Sequence, residues 1–276
     1  MQSSKYSKSV IVVPKLKDKY GPIMTSLLMN DIEVTTVEKL GTRFVGLRQN
    51  KSYEKAIWFN STPPPQLSCK VGWWMCDLRD PRIFPRVKVD TIFLCNKQFL
   101  KDYERHFGAK VYYMSQTGYD IPIEKGRDIT WDVVFIGERN HFYHKNRAQY
   151  LEELAKFNFK HISGEKTTVD QKWIYNMTPI SIAISPQMEG YTSNRLYNIL
   201  SSGGFCLTLW FPGIEDLFEN KKHLVWFKSP EEMKELIEYY LKHPKKRDKI
   251  AKAGKKLYDE KHSGKCRLYS MLNLLN

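Results

Sequence analysis

The sequence predicts an α/β protein made of two Rossmann-like, doubly wound domains that face each other across a cleft. Three observations predict it. Short apolar, β-branched runs alternate with segments of helical period along nearly the whole chain. The alternation runs through once, breaks at the polar, turn-rich stretch SQTGYDIPIEKGRDIT (Ser115 to Thr130), and then restarts. No repeat of short fixed period is present, which argues against solenoids and propellers.

Element by element, Ser9 to Val13 reads as a strand, Tyr20 to Asn30 as an amphipathic helix carrying Ile23, Leu27 and Leu28, and Ile32 to Val37 as a second strand. Ala56 to Phe59 and Val71 to Cys76 read as short buried strands, separated by STPPPQLS, whose three prolines exclude helix. Val89 to Cys95 is a strand, Lys97 to Phe107 a helix and Lys110 to Met114 a strand. The seam follows, giving domains of 1–121 and 122–276. The second series begins with the strand Trp131 to Ile136, the helix Lys145 to Phe157 and the strand Phe159 to Ile162. A helix near Val169 to Asn176 comes next, then the strand Ile180 to Ile184, a helix opening at Thr192 to Asn194, a Gly203-Gly204 stop and the strand Phe205 to Leu209. Leu224 to Phe227 completes the sheet. Two helices close the chain, Pro230 to Leu241 and Pro244 to Lys261, each with proline at its first turn, where a missing N–H costs little.

Composition narrows the function classes. The 42% hydrophobic residues, 13% of the chain being aromatic, describe a packed globular protein. No apolar run nears the ~18 residues that span a bilayer, and MQSSKYSKSVIVV reads as the first strand, not a signal peptide. Five cysteines without CxxC pairing read as buried free thiols of a reducing cytoplasm. The net charge is +14: residues 1–121 hold 19 basic and 11 acidic side chains, a charge of +8, which leaves +6 for the rest. Such a surface favours polyanions. Lysine outnumbers arginine, so contact with phosphates is expected over the reading of bases.

The stretch EGYTSNRLYNILSSGGFCLTL, Glu189 to Leu209, is the most informative. It is a loop, helix and strand following a buried strand, which places the loop at the carboxyl end of a parallel sheet, where open α/β sheets bind ligands. Thr192, Ser193 and Asn194 open the helix and can cap its free N–H groups, and such an N-terminus suits a phosphate. Glu189 and Arg195 bracket the loop with opposite charges. At the first strand of the second domain, FIGERNHFYHKNR offers Gly137, where a ligand can approach the backbone, then Glu138, and the cations Arg139 and Lys145 on either side of a helix start. Two cations there could hold a diphosphate and offset charge building on it. The segment is neither a GxGxxG fingerprint nor a Walker loop. The loop after His161, with Ser163 and Gly164, could meet a base or ribose. His141 and His144 lack the partners of a metal site, and no metal is expected. In the first domain, WWMCDLRDP ends a strand with Asp77, a candidate base or acceptor ligand, set beside Trp73, Arg79 and Arg82. A turn-capping role for Asp77 stands equally open.

From Trp131 to about Leu272 the chain resembles the GT-B glycosyltransferases, and within them the CgeB-like branch of the group-1 superfamily. The resemblance rests on WDVVFIGERN, NRLYNILSSGGFCLTLWFPGIEDLF, HLVWFKSPEEMKELIEYYLKHPKKRDKIAKAG and EKHSGKCRLYSML, and more loosely on WWMCDLRDP and VDTIFLCN in the first half. It implies a nucleotide-sugar donor, UDP-linked, on the C-terminal domain and a hydroxyl acceptor on the N-terminal one, with no metal and no other cofactor. By the family's pattern Arg139 and Lys145 match the pair at the donor diphosphate, Glu189 and Gly190 the contact to the donor sugar, and Thr192, Ser193 and Asn194 the helix-start phosphate contact. Asn198 stands where the family usually has a glutamate for the ribose, nine residues after Glu189 instead of eight. For the acceptor, the basic first domain, with Lys15, Lys17, Arg79 and Arg82, suits a polyanion. Hydroxymethylated pyrimidine in DNA, with Trp73, Trp74 and Phe84 beside a displaced base, is one expectation, although Trp73 and Trp74 read more readily as core. A cell-surface glycan, glycolipid or protein near an anionic membrane is another. A non-catalytic nucleotide- or polyanion-binding module is a third reading, for which Asn198 speaks.

Overall fold

The computed structural model describes residues 9–13, 32–36, 53–67, 69–126, 128–139, 146–163 and 168–275. The helix expected over Tyr20 to Asn30 and the positions Lys15, Lys17, Lys145 and Gly164 lie outside them. The chain forms two compact units, Met1–Gln116 with Gly264–Asn276, and Thr117–Ser263. The expected boundary after residue 121 falls slightly inside the second unit, and the closing segment belongs with the first.

The first unit holds a six-stranded parallel sheet in the order β2-β1-β3-β4-β5-β6. Its strands are β1 Ser9–Val13, β2 Glu33–Thr36, β3 Lys55–Phe59, β4 Lys70–Met75, β5 Thr91–Leu94 and β6 Lys110–Tyr113. Each lies within two residues of its expected span. Helix α1, Leu100–Phe107, starts later than the apolar pattern suggested. The Asn96 carbonyl oxygen accepts the Phe99 N–H at 3.1 Å and holds the preceding residues in a turn.

The second unit is a five-stranded parallel sheet in the order β11-β10-β9-β7-β8. Its strands are β7 Val133–Ile136, β8 Phe159–Ile162, β9 Ile180–Ala183, β10 Cys206–Leu209 and β11 Val225–Phe227. Helices α2 Arg147–Leu154, α3 Thr168–Met177, α4 Asn194–Ser201, α5 Pro230–Lys242 and α6 Pro244–Leu257 cover it. Successive residues of β7 face opposite layers. Val133 and Phe135 join Ile180, Ile182 and Leu207 in one core, while Val134 and Ile136 join Ala183, Leu196 and Cys206 in the other. Strand β8 flanks β7 on one side and β9 on the other, so the chain reverses its direction of travel through the sheet at β7. The carboxyl ends of β7 and β9 therefore form the switch-point crevice where such sheets bind ligands.

The Gly203-Gly204 stop has a separate cause for each residue. Gly203 takes the left-handed conformation at φ +70°, letting its N–H reach Leu200 O and that of Gly204 reach Ile199 O. A Cβ on Gly204 would lie 2.3 Å from Tyr175 O, so α4 packs on α3 only without one. After α6 a π-helical turn, Tyr258–His262, leads to the unanticipated helix α7, Gly264–Leu274. Its signal was legible: Leu268, Met271, Leu272 and Leu275 are buried and spaced for one helix face. Lys55 Nζ ties it to the first sheet through Leu272 O at 3.0 Å.

Candidate functional site

Two arginines converge on the switch-point crevice of the second unit. Arg195, in the first turn of α4, donates from Nε to Ile136 O at 2.6 Å and from Nη1 to Ile184 O at 3.1 Å. Arg147, the first residue of α2 and only 3% exposed, donates to Glu138 O at 2.8 Å and to the same Ile184 O at 2.9 Å. Both guanidiniums lie against the Phe135 ring, at 4.5 and 5.4 Å from its centre. The strand ends of β7 and β9 are thus held by cations in place of a loop.

Neither arginine has a carboxylate within ion-pair distance among the described residues. Burial, and then the neighbouring Arg195, pulls the pKa of Arg147 down to about 9, and burial lowers that of Arg195 as well. Both stay charged at neutral pH. Arg147 Nε is buried with no hydrogen-bond partner among the described residues. Glu138 acts on Arg147 electrostatically but from beyond ion-pair distance; buried positive charge compensated only in part is costly, by several kcal/mol, and an anion in the crevice would offset that cost.

The backbone around them is shaped to fit. Gly137 has φ +147°, and a Cβ there would lie 2.2 Å from Arg195 Nη2. The close approach expected at this glycine is made by the Arg195 guanidinium. His161 Nε2 meets Gly137 O at 2.8 Å and fixes the same turn from β8. The expected side-chain caps of α4 do not form. Ser193 is the N-cap residue but makes no capping bond; its Oγ pairs with Ser185 Oγ at 3.0 Å, and its N–H donates to Ser185 Oγ at 3.1 Å. Leu196 N–H reaches Ser193 O at 3.3 Å, while no side chain caps the N–H groups of Asn194 and Arg195, which suits an external acceptor. Thr192 is buried and Asn194 half-buried at this helix start.

The other expected residues are placed as follows. Arg139 is exposed and paired with Glu152 on α2 at 2.7 Å. Glu138 is exposed, and its carbonyl is the Arg147 acceptor. Glu189 is exposed, and Gly190 N–H donates to Pro212 O at 2.8 Å, fastening that loop to the one after β10. Ser163 is exposed at the end of β8. Asn198 is 2% exposed, which corrects the expectation of an open amide: it packs inside the unit and bonds the Tyr119 hydroxyl, while its Oδ1 has no hydrogen-bond partner among the described residues. In the first unit, Asp77 is half-buried in a small pocket at the carboxyl ends of β3 and β4, with Asn60, Ser61 and Trp74. Trp73 is not an acceptor contact but core, fully buried against Phe84 and Phe107 with its Nε1 bonded to Asn60 O. Arg79 is exposed, its carbonyl accepting the Tyr103 hydroxyl, and Arg82 pairs with Asp80. The residue sequence reasoning missed is Arg147. Arginine four residues before Leu151 reads as the solvated end of an amphipathic helix, and only the fold turns it inward.

Among the described residues no three His, Cys, Asp or Glu side chains gather as a metal site, and no helix is long and apolar enough to cross a membrane. A family model described as glycosyl transferase-like matches residues 131–273. No curated protein matches the sequence. Among solved structures, Anabaena HepE in complex with UDP-glucose is similar over 97% of this chain and 99% of its own, at 9% identity and a TM-score of 0.62. A glycosyltransferase from Rickettsia africae is similar over 97% of both chains, at 10% identity and 0.58. Sucrose-phosphate synthase from Thermosynechococcus elongatus covers 96% and 98%, at 7% identity and 0.54. At these identities the likeness is one of fold, the GT-B architecture.

Proposed function

Because the chain belongs to the glycosyl transferase-like family, we propose that it moves a sugar from a UDP-linked donor to a hydroxyl acceptor, with the donor diphosphate bound at the β7–β9 crevice. The observation that carries this reading is the pair Arg147 and Arg195, with no carboxylate in ion-pair contact among the described residues, beneath a start of α4 that has no side-chain cap. A diphosphate supplies the missing negative charge at the place where backbone N–H groups and a helix dipole also favour it. HepE, the structural relative, binds UDP-glucose, which supports a uridine donor here.

In the reaction the bond from the anomeric carbon to the diphosphate oxygen breaks, and the departing nucleotide keeps the electron pair. The acceptor oxygen bonds to the anomeric carbon and gives up its proton. Charge therefore grows on the leaving diphosphate, where preorganised cations lower the barrier most. Arg195, the more exposed of the pair, makes the direct contact. Arg147 lies behind it and acts through its field and the carbonyls it fixes. Arg139 extends the cationic wall once it releases Glu152, an exposed pair worth at most about 1 kcal/mol; the family's pattern gives Lys145 the same task. Glu189 and Gly190 take the donor sugar, and Asp77 is the candidate to receive the acceptor proton. This reading needs no metal. Placement in the CgeB-like branch rests on the sequence motifs alone.

Hydroxymethylated DNA as acceptor draws no support from the fold: Trp73 and Trp74, the aromatics expected beside a displaced base, are both buried. The test is incubation of the purified chain with UDP- and GDP-sugars, reading nucleotide release and binding. Slow release from a UDP-sugar, lost in Arg195→Gln, is expected. A chain that neither binds nor hydrolyses any nucleotide sugar would sink the proposal.

A further inference from the structure

The first unit carries a second cationic feature that the donor site does not use. A hollow of about 250 Å³ lies between α1 and the segment joining β4 to β5, lined by Pro81, Arg82, Arg86, Asp102, Arg105 and His106. Three arginines against Asp102 and the adjoining Asp80, which pairs with Arg82, leave a formal charge of +1 before His106 is counted.

Its donors are arranged but not exhausted. Asp80 grips Arg82 through Nε, at 2.9 Å to Oδ1, and through Nη2, which fixes the guanidinium and leaves Nη1 over. The turn is itself rigid, since Asp80 also caps it by accepting the Arg82 N–H at 2.9 Å and Pro81 follows directly. Asp102 takes only Nη1 of Arg105, at 3.3 Å, and also acts on Arg82 electrostatically. Arg86 has no carboxylate partner among the described residues. His106 is anchored by Nε2 to Phe84 O at 3.0 Å, which leaves Nδ1 as its other polar atom. The Asp102–Arg105 contact is single and exposed, so it is weak and yields readily to a stronger anion, whereas the bidentate Asp80–Arg82 pair stays in place and offers the Nη1 of Arg82.

We infer that this hollow is a phosphate-binding site on the first unit, separate from the donor crevice. A phosphate complements the net positive lining, and its three oxygens suit the planar arginine forks as no neutral sugar does. At about 250 Å³ the hollow falls below the ~300–1,000 Å³ of sites that enclose a whole small molecule, so it takes a phosphate group and the atoms next to it. The group can arrive on a soluble phosphate ester or on an anionic lipid headgroup. The inference rests on this unit alone and does not depend on the proposed donor chemistry.

Calorimetric titration of the full chain with inorganic phosphate tests it, run in parallel on Arg86→Gln, Arg86→Gln with Arg105→Gln, and Arg195→Gln. The expected result is that Arg86→Gln weakens one binding event about ten-fold or more, that the double variant loses it, and that Arg195→Gln keeps it. Arg86 has no carboxylate partner to disturb among the described residues, so the single variant reads binding even if the double variant misfolds. Equal phosphate binding by wild type and Arg86→Gln, or its loss only in Arg195→Gln, overturns the assignment. Sedimentation with phosphatidylcholine vesicles, with and without 20% phosphatidic acid, identifies the source by the same criterion. Capture dependent on phosphatidic acid and reduced in Arg86→Gln assigns a lipid headgroup, whereas phosphate binding without capture assigns a soluble ester. Absence of both overturns the site.

Discussion

Replacing Arg195 by glutamine separates binding from folding at the donor crevice. The wild-type guanidinium donates to Ile136 O at 2.6 Å and to Ile184 O at 3.1 Å. Hydrogen bonds from a charged donor are worth about 1.5–3 kcal/mol each, so removing them costs stability. The same change removes a buried cation that lacks a counter-ion and sits beside Arg147, relieving a penalty of several kcal/mol. The two terms are of similar size and opposite sign. The ligand-free variant should therefore unfold in urea within about 2 kcal/mol of wild type, in either direction. Binding has no such compensation. Losing one charge-assisted contact to the diphosphate weakens UDP by about 10–150-fold, as calorimetry would read. Linkage supplies a second readout: UDP at 100 times its Kd stabilises wild type by about 2.7 kcal/mol, and at that concentration a fifty-fold weaker variant gains only about 0.6 kcal/mol. Unchanged UDP affinity, or a stability loss beyond about 4 kcal/mol with affinity intact, would show that Arg195 is a structural clamp and refute the reasoning.

Gly137→Ala places a Cβ 2.2 Å from Arg195 Nη2 at φ +147°; thermal unfolding should show a loss of about 2–4 kcal/mol, with weaker UDP binding in the folded fraction. Asp77→Asn should cut acceptor-dependent transfer about 100-fold while leaving UDP-sugar binding within two-fold, and unimpaired transfer would instead send the acceptor proton to the departing phosphate. Lys172, 3% exposed and donating to Tyr119 O and Ser201 O, has its pKa lowered by burial to about 8. The unfolded chain therefore binds the extra proton between about pH 8 and the ordinary lysine value near 10.4, and this group's contribution to stability rises with pH across that window. Lys172→Met should flatten the rise in urea midpoints from pH 8 to 10; an identical pH profile in the variant would contradict the assignment.

The strands are legible because parallel strands buried on both faces are short continuous apolar runs, and Ser9–Val13 spans its expected residues. Helix starts were harder. The apolar pattern carries α2 back to Lys145, whereas the described helix begins at Arg147, whose side chain turns under the sheet. The GG stop was visible as a stop, but the reason for its second glycine, contact with Tyr175 O, lies in another helix. The site shows the same division. Local sequence marked the loop at Glu189 to Arg195 and the turn at Gly137, yet it could not show that Arg195 fills the space Gly137 leaves, or that Asn198 faces Tyr119. Those pairings join residues dozens of positions apart, and period and propensity carry no information about them.

Electrostatics explains why Arg147 and Arg195 take the place of apolar residues at the end of the second sheet. Two methionines of similar length would fill the space beside Phe135, relieve the mutual repulsion and leave Ile136 O, Glu138 O and Ile184 O to the backbone or to water. Such replacements of buried ions are often neutral or stabilising, by about 1–4 kcal/mol. A fold that keeps the cations at its switch point, with no carboxylate in ion-pair contact among the described residues and no side-chain cap on the helix start above them, holds a site whose positive field favours the entry of something negative. The field is fixed before the ligand arrives, because the carbonyls of two strands and the cramped turn at Gly137 hold the guanidiniums in place. A group preset in this way costs little reorganisation when charge develops on a leaving diphosphate, and the instability of the empty crevice becomes part of the affinity of the filled one.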